Sequence, residues 1–155
     1  MQHIFGDPVV TTLLLAMVLG MVLGLERFIA HKTAGMRTYT LISMGSALFI
    51  IISKMITEQI PSTIGYDYHI AAQIIAAAGF LGVGAIFNNG QRVSGITTAS
   101  GMWVAAGIGM ASGFGLYRLA IIATVLSLFT FVVLWLIEKQ VRKMHLGKDE
   151  ENSPL

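Results

Sequence analysis

The sequence predicts an all-α polytopic membrane protein of five transmembrane helices, with its N-terminus outside and its C-terminus in the cytoplasm. Three observations lead there. Over 155 residues, 55% of the side chains are hydrophobic and 12% charged, more apolar surface than a soluble domain of this size buries. Five apolar stretches of spanning length follow one another at 8–25, 38–57, 69–87, 96–113 and 116–137. The basic residues also divide unevenly: Arg27, Lys32, Arg37, Arg92, Lys139, Arg142, Lys143 and Lys148 fall on one side of the spans, Lys54 and Arg118 on the other. The richer side is the cytoplasmic one. A transmembrane unit is therefore expected over 1–145 and a polar cytoplasmic tail over 146–155.

The first helix opens at Pro8, whose missing N–H is harmless in a first turn. No basic segment precedes it and no Ala-x-Ala site follows, so it is expected to remain as a span rather than leave as a signal peptide. Ala16, Gly20, Gly24 and Arg27 share one face and read as a small-residue packing seam. Glu26 and Arg27 follow the apolar run without a break. Charges this near hydrocarbon must pair or snorkel. Either Glu26 finds a basic partner, with Arg37 and Arg92 the candidates, or it titrates easily. Ala34-Gly35 breaks the helix, and Arg37 and Thr38 open the second one. Thr40, Ser43 and Ala47 continue a small, mildly polar line along it toward Lys54, which is expected to snorkel outward. In the external loop EQIPSTIGYDY, the tyrosines supply an interfacial anchor, and Asp67 with His69 are too few for a metal site.

The stretch Ala71–Trp103 reads as the centre of the molecule, a helical hairpin flanked by the other spans. Its first helix places Ala71, Ala72, Ala78, Gly79, Gly82 and Ala85 on one arc and Gln73, Ala77, Phe80 and Gly84 on the other, so packing on two sides is expected. Gln73 needs protein or water around its amide, which leaves an interhelical hydrogen bond or a polar passage open. Asn89-Gly90 signals a tight turn, and Arg92 follows in the same loop. Thr97 and Thr98 start the fourth helix, where Thr98, Gly101, Ala105, Gly109 and Ser112 form a stripe suited to seating another helix. Trp103 lies too deep for a belt tryptophan and is expected to be a core wedge or a contact for another subunit. The connection SGFGLY is short enough to make the fourth and fifth helices antiparallel neighbours. The fifth, sparsely decorated, is expected to face lipid and to end at Trp135 and a basic cluster.

These features set limits on function. The basic excess reports topology and gives no reason to expect nucleic acid. Absence of cysteine excludes disulfides and thiol chemistry. The run Gly79-Phe-Leu-Gly82-Val-Gly84 lacks the Gly-Lys-Ser/Thr ending of a phosphate loop and lies inside a span, so no nucleotide is expected, and no cofactor or metal site is assigned elsewhere. The serines have no histidine base at usable depth and the carboxylates stand singly, so no catalytic residue is assigned.

The segments GLERFIAHKTAGMRTYTLISMGSALF, IAAQIIAAAGFLGVGAIF and GITTASGMWVAAGIGMASGFGLY resemble, in order and spacing, the MgtC/SapB membrane proteins of bacteria, and the resemblance extends over roughly Leu19 to Tyr117. The resemblance rests on Leu25-Glu26-Arg27, Ala34 to Thr38, Ala71 to Gln73, Gly79 to Gly82, Thr97 to Ala99 and Trp103. His69 departs from a frequent arginine, Val104 stands where the namesake has a cysteine, and the namesake's soluble C-terminal domain is not expected here. The resemblance implies a bacterial inner-membrane protein of the short, SapB-like kind. For the namesake it further implies adaptation to magnesium shortage, survival inside host cells and restraint of the proton-translocating ATP synthase.

Two functions are compatible with this reading. One is an interaction protein that binds itself or another membrane protein, the ATP synthase among them by resemblance, through its small-residue stripes; Gly82→Leu is then expected to disrupt assembly. The other is a small Mg2+ transporter or channel with Glu26, Gln73, Thr97 and Thr98 around a pathway, a thin site for an ion that wants six oxygens. The positions of interest for either are Glu26, Arg27, Arg37, Thr38, Gln73, Gly79, Gly82, Arg92, Thr97, Thr98 and Trp103.

Overall fold

Helices α1 (Pro8–Ile29) and α2 (Met36–Gln59) form the first pair of an all-α bundle. α3 (Tyr66–Gly84) leads through a two-stranded ribbon, β1 (Phe87–Asn88) and β2 (Val93–Ser94), into α4 (Ile96–Gly113). α5 (Tyr117–Phe129) then runs through a π-helical turn, Thr130–Leu134, into α6 (Trp135–Glu151). The structure is a computed structural model and describes residues 8–59, 66–88 and 93–151, with the backbone alone at 66–68, 87–88 and 144–151. Among the described residues, three helices are long and apolar enough to cross a bilayer: Pro8–Ile29, Met36–Gln59 and Tyr117–Lys143. α3 is apolar only over His69–Gly84 and falls short of them. The Ser, Thr and Gly residues of α4 dilute its hydropathy, but most of α4 is buried against four neighbouring helices and needs little apolar surface.

α4, and not the α3–α4 hairpin, occupies the centre. It packs against α1, α2, α3 and α5, whereas α3 lies at the edge, on α4 and α2. Small residues make this possible. Thr98, Gly101, Ala105, Gly109 and Ser112 are all buried, so the stripe read from their spacing does seat neighbouring helices. The closest approach is at Gly109, where an added Cβ would overlap the Ser43 carbonyl of α2. The seam of α1 behaves likewise. Ala16, Gly20, Gly24 and Arg27 are buried, and a Cβ on Gly20 would stand 2.7 Å from Ser43 Cβ. Backbones that meet this closely let side chains bond across helices: Ser43 Oγ donates to the Ala16 carbonyl at 2.8 Å, and the Tyr39 hydroxyl to the Thr98 carbonyl at 2.9 Å. Ser112 and Thr124 instead bond back to carbonyls four residues earlier, which hides their hydroxyls inside their own helices.

α3 corrects a second expectation. Ile74, Ala78 and Gly82 are its buried positions, with Ile70 and Ala71 half-buried beside them, and the arc of Gln73, Ala77, Phe80 and Gly84 is exposed, so within the chain it packs on one side only. Gly82 meets Ala99 Cβ at 3.4 Å from where its own Cβ would lie. The turn after α3 closes as an antiparallel ribbon, Phe87 opposite Ser94 and Asn88 opposite Val93. Gly95 ends it at φ 92°, a conformation that costs glycine little and leaves no room for a Cβ beside the Ala85 carbonyl. Arg92 and Asn89-Gly90 lie outside the described residues. α5 buries little beyond Ala120 and Thr124, as a lipid-facing helix does.

Two substitutions check this packing. Gly109→Ala is expected to lower stability by about 1–3 kcal/mol through overpacking, while Gly107→Ala, with nothing within 4 Å of its Cβ position, leaves it unchanged. Thermal unfolding of the detergent-solubilised protein measures both. Because Gly82 lies between α3 and α4, Gly82→Leu is expected to reduce the same unfolding temperature; it probes the fold before it probes assembly.

Candidate functional site

Where α1 reaches its last turn, Gly24 lets it touch the start of α2. A Cβ there would be 2.6 Å from Met36 Cα. The chain between them turns through His31, at φ 53°, with Lys32 N–H donating to the Arg27 carbonyl at 3.0 Å. This tight reversal tucks the end of α1 inward. The Arg27 side chain is 4% exposed and that of Glu26 17%. Sequential residues on a helix normally point to different faces, yet both side chains curl together. Arg27 Nε donates to Glu26 Oε2, and its terminal nitrogen donates to Oε1 at 2.7 Å. Glu26 thus pairs with its own neighbour, which corrects the expectation of Arg37 or Arg92. Arg37 is exposed, and Thr38 is half-buried.

The guanidinium lies 3.9 Å from the centroid of the Phe131 ring. This cation–π contact is worth about 0.5–2 kcal/mol in a desolvated setting. Phe131 is carried by the π-helical turn, whose wider winding brings that one side chain inside while Thr130 and Val132 stay exposed. On the far side of the ring is α4, where a Cβ on Gly101 would be 2.7 Å from Phe131 Cζ. Arg27, Tyr39, Thr98, Gly101 and Phe131 therefore tie α1, α2, α4 and the π-helical turn together at one level of the bundle.

Beside this cluster opens a cavity of about 550 Å³ whose wall includes Glu26, Arg27, Thr97, Thr98, Thr130 and Glu138. Among the described residues its charged lining is balanced, two carboxylates against Arg27 and Lys32. Four of the positions singled out from sequence meet here: Glu26, Arg27, Thr97 and Thr98. Gln73 does not. It lines a separate apolar groove of about 480 Å³ between α2 and α3, together with Gly45, Ser46 and Ala77. Gly79 faces open space. Trp103 is 53% exposed, which corrects the expectation of a core wedge: the buried side of α4 is filled by Met102, Ala105 and Ala106 and has no room for an indole.

Sequence reasoning missed Tyr39, Phe131, Thr130 and Glu138. Tyr39 stood inside the quoted AGMRTYT turn, and a hydroxyl facing into a span would have marked it. Phe131 had no signal of its own among the chain's eight phenylalanines.

A model of the MgtC family matches residues 13–140, which contain α1 to α5 almost entirely and the whole cavity wall. The protein of Escherichia coli strain K12 named "Putative magnesium transporter YhiD" is 42% identical over 124 residues, 78% of this chain and 58% of that protein. Protein MgtC of Salmonella typhimurium strain LT2 is 35% identical over 144 residues, 93% of this chain and 60% of that protein. Protein MgtC of Brucella abortus is 40% identical over 85 residues, 55% of this chain and 34% of that protein. The chain spans less than two thirds of the length of each of these relatives. No solved structure matches significantly. The family model, which covers most of the chain, and these relatives show that the chain belongs to the MgtC family.

Proposed function

We propose that this is a multi-pass, non-enzymatic protein of the bacterial inner membrane that acts by docking its helices on a second copy or on another membrane protein during adaptation to magnesium limitation. Its N-terminus is outside and its C-terminus, with the polar tail, in the cytoplasm, as the distribution of basic residues favours. The observation that carries the docking role is the open circumference of α3. A helix rich in Ala and Gly gains little from lipid but allows close backbone approach to protein. Here Ala72, Ala76, Ala77 and Gly79 are exposed, nothing stands within 4 Å of a Cβ on Gly79, and Phe80 is 81% exposed. The ATP synthase, which the family resemblance brings in, is a partner of this class. The name of the YhiD relative supports the link to magnesium.

The same name, with the polar cavity at Glu26, favours magnesium transport as a second reading. Two features weigh against it. The Arg27 guanidinium bonded to both oxygens of Glu26 neutralises the charge a cation would need, and Gln73 lies in a different groove from Thr97 and Thr98.

Three measurements test these readings. A photo-reactive side chain at Ala72, Phe80 or Val83 is expected to form protein adducts in native membranes under magnesium limitation, and one at Ile122 or Leu126 on α5 none. If no position around α3 yields a protein adduct, docking fails. Proteoliposomes of the wild type are expected to show no Mg2+ flux above protein-free vesicles; selective flux abolished by Glu26→Gln would establish transport instead. Arg27→Ala leaves the Glu26 charge buried without its partner and is expected to cost about 3–5 kcal/mol in thermal unfolding.

A further inference from the structure

We propose that the partner of α3 is the α3 of a second copy of this chain, joined along the line Gln73, Ala77, Phe80 and Gly84, with the two Gln73 amides bonded to each other. The inference rests on the docking reading above and names its surface and occupant.

These residues are spaced by four, three and four, the repeat that keeps two helices in contact along a left-handed seam. All four are exposed. They run beside the α2–α3 groove, of which Gln73 and Ala77 form part of the wall. Among the described residues no charged side chain lines that groove, so two copies meet there without like-charge repulsion.

The choice of a second copy, over lipid or an unrelated helix, follows from Gln73. It sits about two turns inside α3, and no described residue bonds its side chain. A carboxamide carries two donors and an acceptor. An acyl chain offers neither, and a lipid ester oxygen accepts but cannot donate. A second carboxamide supplies both, which makes glutamine its own complement. Depth supplies the rest. Copies inserted with the same topology are related by an axis along the bilayer normal, so every residue meets its counterpart at equal depth. Gln73 therefore faces Gln73 without any adjustment of register. The same symmetry sets Phe80, 81% exposed, beside Phe80 of the second copy, with the small Ala77 and Gly84 on either side leaving the two rings room to stack. One polar residue in an otherwise apolar seam is also the device that fixes register and copy number in coiled coils.

The chain has no cysteine, so single-cysteine variants report without background. In oxidised native membranes, Ala77→Cys is expected to give a disulfide-linked dimer, and Ala76→Cys, on the neighbouring face, to remain monomeric. In the Ala77→Cys background, Gln73→Leu is expected to lower dimer yield by roughly threefold to tenfold, and Gln73→Asn to retain it. Equal yields at the two cysteine positions, or a yield that Gln73→Leu leaves unchanged, overturn the inference. Protein adducts from Val83 with no Ala77→Cys dimer leave docking standing and remove the second copy as the occupant. No adduct and no dimer remove both.

Discussion

The structure depends on the contact made at Ser43. The side chain of this residue donates to the Ala16 carbonyl of α1, its Cβ lies under Gly20, and its own carbonyl lies under Gly109 of α4. Three helices share one point because two of them carry no side chain there. In a bilayer, where apolar burial gives helices little reason to prefer each other over lipid, van der Waals contact between backbones and the hydrogen bonds it allows hold the bundle together. Gly101 and Gly113 extend the same contact along α4 toward Tyr39 and Ala47.

This approach also explains the position of the charged pair. With α1 held against α2 by Gly20 and Gly24, Arg27 at the end of that face cannot turn to lipid and is carried inward. Buried there, the guanidinium needs a counter-charge and a surface to lie on. Glu26 and the Phe131 ring provide them. The arrangement is neutral and saturated, which suits a structural tie among four segments better than the capture of an ion.

Much of this was legible in the sequence. Spacings of three and four marked the stripe on α4 and the seam on α1, because close helix packing leaves a periodic trace of small residues. The fourth helix begins and ends at the expected residues. Other features left no trace. Glu26 and Arg27 are sequential, and helical geometry argues against their pairing until the tight turn at His31 draws both into one cavity. The ring beneath Arg27 is one phenylalanine in an apolar run, selected by a local change of winding that composition does not announce. On α3, small residues occur on both arcs, and a helical wheel gives the same picture whether an arc receives a helix of its own chain or of another molecule. Only the folded chain separates the arc that meets α4 from the arc left open.

The π-helical turn has an effect well beyond the ring it positions. One residue added to a helix advances everything after it by about 100°, so the azimuth of Trp135, Lys139 and Arg142 is decided upstream, in the run Thr130–Leu134. The direction in which these three side chains leave α6 is thus fixed by how the oily segment before it winds, and the guanidinium of α1, by holding Phe131, acts as the index mark for that rotation.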